Sequence, residues 1–294
     1  MNILVTGRHG QLAQSLAERG GDAIILAGRP ELDLAIPGSA RSAILAARPD
    51  LIINSAAFTA VDLAETEEAQ AQRINAAAAG EVAAAAYELG VPIMQISTDY
   101  VFDGRATEPY TETAATNPIN AYGRTKLAGE DAVRAATPDH LILRTSWLIS
   151  PFGKNFVDTM IDLGQQRDSL SVVSDQRGNP TSALDLAEAI LVVARRLATG
   201  DRTGFGQTYH LAGSGTASWL DLAVAVQCDL ALLGRKSANV IPITTADWPT
   251  PAARPLFSAL DTAKFTRDFG HVMPDWRASL PRIVRRLSQT DLPA

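Results

Sequence analysis

Met1-Asn2-Ile3-Leu4-Val5-Thr6-Gly7-Arg8-His9-Gly10-Gln11-Leu12-Ala13 opens the chain. A short apolar run, Ile3 to Thr6, leads into two glycines three residues apart and then into a helix-forming stretch from Gln11. That strand, glycine loop and helix order gives a G-x-x-G-x-x-A pattern its meaning. Gly7 permits the tight turn, Gly10 lets backbone approach a pyrophosphate, and the small Ala13 lets helix and strand pack closely. The helix N-terminus adds unpaired N–H groups and a partial positive charge, both suited to a phosphate. Taken alone, the same glycines also serve a purely structural strand-turn-helix.

Outward from this loop, strands are predicted at Ile3 to Thr6, Ala23 to Ala27, Leu51 to Ser55, Pro92 to Ser97 and His140 to Thr145. Helices are predicted between them at Gln11 to Arg19, Ser39 to Ala47, Leu63 to Leu89 and Ala121 to Ala136, the third being long and Ala-rich. Such alternation implies an α/β fold with a doubly wound parallel sheet covered on both faces. Past Pro151 the rhythm weakens into short strands, glycine-rich and proline-rich loops, and helices at Leu184 to Leu197 and Ser218 to Leu233. The expected organisation is a nucleotide-binding domain over 1–150, to which later segments return, and a smaller lobe mainly over 151–294.

Composition narrows the function classes. The chain has 294 residues, 46% hydrophobic and 20% charged, with a net charge of −6, which speaks for a soluble globular protein and against a basic nucleic-acid surface or a polybasic membrane anchor. The start lacks a basic, cleavable signal and no stretch reaches the roughly 18 apolar residues of a membrane span, so the expected location is cytoplasmic. The single Cys228 excludes an internal disulfide and a Cys-x-x-Cys site, and it is expected to be a small buried residue. His9, His140, His210 and His271 are far apart and suggest no ligand set, so no metal site is predicted.

Three places carry chemistry. Tyr122 and Lys126, four residues apart, project from one face of the predicted helix. A free phenol titrates near 10, and a neighbouring ammonium is expected to favour the phenolate and make Tyr122 a usable acid or base. The lysine is itself informative, because only Lys126, Lys154, Lys236 and Lys264 occur among 26 basic residues. Ser97-Thr98-Asp99-Tyr100 follows the fourth strand, where ligands bind in open α/β sheets. Thr98 is expected to donate to a substrate carbonyl oxygen and Asp99 to bind a substrate hydroxyl, although a Thr/Asp turn or cap reads the same way. At the second strand's end, where NAD sites usually carry an acid, stands Gly28-Arg29. Arg29 with Arg8 suits a 2′-phosphate, which favours NADPH and leaves NADH possible; the alternative is two solvated arginines.

Together the Gly7 to Leu12 loop, Ala57 to Asp62, the Ser97 to Gly104 run, Tyr122 to Glu130, Arg144 to Trp147, Asp175 to Thr181 and Pro249 to Pro255 resemble the extended short-chain dehydrogenase/reductase family over nearly the whole chain. The resemblance implies a Rossmann-like fold and NADPH- or NADH-dependent reduction of the C4 ketone of a dTDP-sugar, dTDP-4-dehydro-L-rhamnose, to dTDP-L-rhamnose. It implies that Tyr122 is the proton donor, with Lys126 on the nicotinamide ribose and Thr98 beside them. Gly10, Gln11 and Leu12 would cradle the pyrophosphate, Asp33 and Leu34 would lie near adenine, and Ala57, Phe58 and Thr59 would line the coenzyme. Thr98, Asp99 and Trp147 would meet the sugar nucleotide, with Arg254 near its phosphates. A homodimer is possible, but Gln14-Ser15 offers no acid for the metal-dependent dimer contact associated with parts of the family. Two alternatives stay open: an epimerase or dehydratase with tightly held NAD, against which Tyr100 stands where a dehydratase carries Glu, and a non-enzymatic dinucleotide-binding regulatory subunit.

Overall fold

In the computed structural model, which describes residues 1–290, the first half of the chain alternates strand and helix. It runs β1 (Ile3–Thr6), α1 (Gln11–Gly20), β2 (Ile24–Ala27), α2 (Ser39–Ala47), β3 (Leu51–Asn54), α3 (Val61–Ala64), α4 (Glu68–Gln72), α5 (Ala78–Leu89), β4 (Ile93–Thr98), α6 (Ala121–Ala136) and β5 (His140–Thr145). The second half continues with β6 (Leu148–Ile149), α7 (Phe156–Gln166), β7 (Ser169–Val173), β8 (Arg177–Gly178), β9 (Thr181–Ser182), α8 (Ala183–Ala198), β10 (Gln207–His210), β11 (Ala217–Ser218), α9 (Trp219–Leu232), β12 (Asn239–Ile243), α10 (Ala263–Phe269) and α11 (Trp276–Thr290). The last four residues of the lobe expected over 151–294 lie outside the described residues.

Six strands form one parallel sheet in the order β10-β5-β4-β3-β1-β2. The winding reverses between β1 and β3, and a crevice opens at the carboxyl ends of strands at such a reversal. A buried polar row ties the strands together there: Thr6 Oγ1 donates to Asn54 Oδ1 at 2.7 Å, and Asn54 Nδ2 to Gln95 Oε1 at 2.7 Å. β1 and β3 are buried along their whole lengths, as strands covered by helices on both faces must be. Leu12 and Leu16 of α1 pack with Leu186 and Ile190 of α8 against one face. Ile44 of α2, Val82 and Ala86 of α5, and Val133 of α6 belong to the cluster on the other.

A separate apolar cluster gathers Val157 and Ile161 of α7, Leu222 and Val226 of α9, Trp276, Leu280 and Ile283 of α11, and Leu170 of β7. β10 meanwhile brings a late segment back to pair with β5.

Two expectations change. The single long helix over Leu63 to Leu89 is broken into α3, α4, a π-helical turn at Arg73–Ala77 and α5. The wider turn buries Asn75, whose side chain has partners on two other segments. Cys228, expected to be buried, is exposed. The buried side of α9 carries Leu222, Ala223, Val226 and Leu230, and Cys228 lies about 200° around the helix from Val226. Among the described residues no helix is long and apolar enough to cross a membrane.

Candidate active site

A cleft of about 1040 Å³ opens at the carboxyl ends of β1, β3, β4 and β5. Gly7, Gly10, Gln11 and Leu12 line it from the first loop, Arg29, Asp33 and Leu34 from the segment after β2, and Ala57, Phe58 and Thr59 from the segment after β3. Thr98 and Asp99, Tyr122 and Lys126, and Trp147 line the remainder. Residues far apart in the chain thus share one cavity.

At the glycine loop Gly7 has φ +88°, and a Cβ there would lie 3.2 Å from the Cα of Ala56. Both the left-handed turn and the close crossing of two strand ends require glycine. No side chain caps α1 at Gly10, so its first N–H groups face the cleft without a side-chain acceptor. Gln11 Oε1 is buried beside them without a partner. A bound dinucleotide's pyrophosphate fits this cradle.

At the far end Arg29 is exposed and has no hydrogen-bond or ion-pair partner among the described residues, whereas Arg8 is engaged with Glu31 at 3.1 Å. The expected pair of free arginines is therefore one free and one already neutralised. Asp33 Oδ1 accepts from Ala35 N at 3.0 Å and so shapes its own loop.

The centre of the cleft is set by α6. Asn120 caps it, accepting from Gly123 N at 2.8 Å. Gly123 and Gly129 then bring the helix against two backbone carbonyls, since a Cβ at either would lie 2.1 Å from Tyr100 O or Asn75 O. Asn75 completes the mount: it accepts from Phe58 N at 2.7 Å and donates to Thr125 Oγ1 at 3.0 Å, joining the segment after β3 to α6. Sequence reasoning missed Asn75, which lies inside an Ala-rich helical run whose periodicity gives no sign of a π turn.

Lys126 is buried and donates from Nζ to Ile96 O at 2.6 Å. Burial lowers its pKa to about 8, while Glu130 one turn later pulls it back up. Burial likewise pushes Glu130 up, but Arg144, at 2.8 and 2.7 Å, and Ser97, at 2.6 Å, hold it below the usual carboxylate range. Desolvation pushes Tyr122 up to about 12, eased by the Thr98 hydroxyl and reinforced by Asp99. The lowering expected from Lys126 is thus reversed, because burial disfavours the phenolate. At rest Tyr122 is a neutral phenol with a proton to give.

Thr98 and Asp99 are less available than expected. Thr98 Oγ1 accepts from Tyr100 N at 3.2 Å, capping a short turn, and lies 3.0 Å from Asp99 Oδ1, so its hydroxyl is shared between that carboxylate and the phenol of Tyr122. Asp99 is 3% exposed. Burial raises it to about 6, against the opposing hydrogen bonds of Ser258, Ser146 and Thr98. Its carboxylate therefore braces the floor rather than standing open to a ligand.

Trp147 adopts φ +42° and stacks on Trp219 with ring centroids 3.5 Å apart and planes 2° from parallel. Trp219 lines the same cleft, yet at the head of an apolar helix it reads as core. Arg254 does not line the cleft: its guanidinium grips Asp62 at 3.0 and 2.8 Å. Arg254, expected near the substrate phosphates, is therefore already paired with a carboxylate.

The family model described as RmlD substrate binding domain matches residues 1–289. The chain is 44% identical to a dTDP-4-dehydrorhamnose reductase of Sinorhizobium fredii, over 97% of each. A solved dTDP-4-dehydrorhamnose reductase from Clostridium acetobutylicum superposes with a TM-score of 0.90 at 40% identity, covering 98% of this chain and 100% of that one. One from Bacillus anthracis, solved in complex with NADP, does so at 0.86 and 37%, covering 96% and 99%.

Proposed function

The chain belongs to the RmlD substrate binding domain family and is an NAD(P)H-dependent oxidoreductase, and from that premise we propose that it reduces the C4 ketone of dTDP-4-dehydro-L-rhamnose to dTDP-L-rhamnose, preferring NADPH. The observation that carries the reading is that one cleft is lined by both the uncapped start of α1 and the Tyr122/Lys126 pair.

Bound NADPH supplies the hydride. Gly7, Gly10, Gln11 and Leu12 hold its pyrophosphate, Ala57, Phe58 and Thr59 its flank, Asp33 and Leu34 the adenine end, and Arg29 the 2′-phosphate. Tyr122 gives its phenolic proton to the ketone oxygen as that oxygen gains charge, a contribution that exists chiefly in the transition state. Lys126 is held by Ile96 O within reach of the ribose, and Thr98, oriented by Asp99, steadies the phenol. Trp147 walls the sugar. Residues 1–150, together with α8 and β10, are assigned to the dinucleotide, and the rest of 151–294 mainly to the sugar nucleotide; the separate apolar cluster of α7, α9 and α11 supports that division.

The test is coenzyme oxidation with dTDP-4-dehydrorhamnose. One equivalent of NADPH consumed per sugar is the expected result. Conversion without net oxidation would instead point to an epimerase or dehydratase, and nucleotide binding without turnover to a regulatory role.

A further inference from the structure

The Trp147–Trp219 pair is unusual in three ways. Parallel, closely superposed aromatic rings are the less favoured arrangement for two quadrupoles, so mutual attraction alone does not account for it. Trp147 sits in the left-handed region, where a bulky side chain is strained and is held by its surroundings. Its indole edge, Cε2 to Nε1, lies over Gly178, where a Cβ would be 2.6 Å away. Trp219 is anchored from the other side: its Nε1 donates to Gln176 Oε1 at 3.2 Å, Phe156 packs on it at 4.7 Å, and its helix starts in a capping box at Ser218.

One indole N–H of this pair is spent on Gln176, the other indole's edge lies against Gly178, and both rings line the cleft, so the surface they offer it is mostly carbon. A methyl group gains by packing on such a wall, whereas a hydroxyl in the same place loses its water without finding a partner.

We propose that Trp219 is a positioning residue that holds Trp147 as an apolar wall, and that this wall selects 4-keto sugar nucleotides carrying a methyl rather than a hydroxymethyl group at C5. The proposal rests on the reductase reading above and adds the selecting element to it. Trp219 acts through Trp147 and takes no part in hydride or proton transfer.

The experiment compares wild type, Trp219→Ala and Trp219→Phe on two dTDP-4-keto sugars, one with a C5 methyl and one with a C5 hydroxymethyl. kcat and KM are measured for each, and NADPH affinity by fluorescence titration without sugar. In Trp219→Ala the KM for the methyl sugar rises about tenfold with kcat within about threefold, the kcat/KM preference for it falls at least fivefold, and NADPH binding is unchanged. Trp219→Phe, which keeps a flat ring, recovers most of the preference. An unchanged preference in Trp219→Ala, or a Phe variant no better than Ala, overturns the proposal while leaving the reductase reading standing. A wild-type protein that binds NADPH and reduces neither sugar overturns both.

Discussion

Tyr122 has to be a phenol before it can be an acid, and burial in the cleft keeps it one well into the alkaline range by pushing it up to about 12. Tyr122→Phe removes the proton and little else, so kcat falls roughly 10²- to 10⁴-fold, the usual worth of a positioned acid, while NADPH titrates as in wild type. Turnover near the wild-type rate would remove Tyr122 from the proton transfer. Arg29, exposed and without a partner among the described residues, is the cation proposed for the coenzyme's far end; Arg29→Ala weakens NADPH about tenfold and leaves NADH within twofold, and equal losses for both would defeat the 2′-phosphate assignment. Asp99 bears on stability. Its pKa rises from 3.8 to about 6 on folding, so between those values the native protein holds a proton that the unfolded chain has lost. Its contribution is present below about pH 4 and is lost as pH rises through 6, leaving a cost on the order of 3 kcal/mol above that. Asp99→Asn therefore raises Tm at pH 8 and not at pH 4; a shift of the same size at both would show that charge is not the cause.

Elements in this protein are placed by close approach more than by propensity. α6 delivers Tyr122 and Lys126 because Gly123 and Gly129 let it lie against carbonyls of two other segments. In Gly129→Ala a methyl 2.1 Å from Asn75 O forces the helix and the π turn apart. Stability drops by roughly 1–3 kcal/mol as in other overpacked sites. NADPH binding weakens as well, because Asn75 also holds Phe58, and melting with NADPH titration checks both. A variant that melts and binds like wild type would mean the helix has slack. The glycines of the Tyr-Gly-x-Thr-Lys-x-x-Gly-Glu run are thus legible as a motif, but what they approach is visible only after folding.

On the scale of the molecule, a late segment crosses back onto the sheet's catalytic end. Arg254 grips Asp62, Asn120 Nδ2 donates to Ala253 O at 2.8 Å, and Ser258 bonds Asp99. On the reductase reading we expect Arg254 to serve the sugar nucleotide by fastening this segment. Asp62→Ala and Arg254→Ala should raise the KM for sugar alike, by about three- to tenfold, with NADPH affinity unchanged. If Arg254 instead meets substrate phosphates directly, freeing it with Asp62→Ala will lower that KM, and the two variants will part company. The pair is partly exposed, so its direct effect on stability is expected to be within about 1 kcal/mol.

Much of this was readable in the chain because it is local. Strand and helix periods, the Gly7 to Ala13 loop and the i, i+4 spacing of Tyr122 and Lys126 each depend on residues a few positions apart, where sterics and helix geometry act directly. The sequence by itself determined the parallel α/β sheet, the place of the dinucleotide loop and the face shared by the Tyr and Lys. Tertiary structure alone decided which charges remain available: Arg8 goes to Glu31, Arg254 to Asp62 and the Asp99 carboxylate to three hydroxyls, while Lys126 Nζ is buried and tethered to Ile96 O. It also decided that Trp219 stacks on Trp147 in the wall of the cleft. Those outcomes depend on burial and on partners brought together from distant parts of the chain, and desolvation and pairing, which set a side chain's charge and freedom, exist only once those distant segments meet.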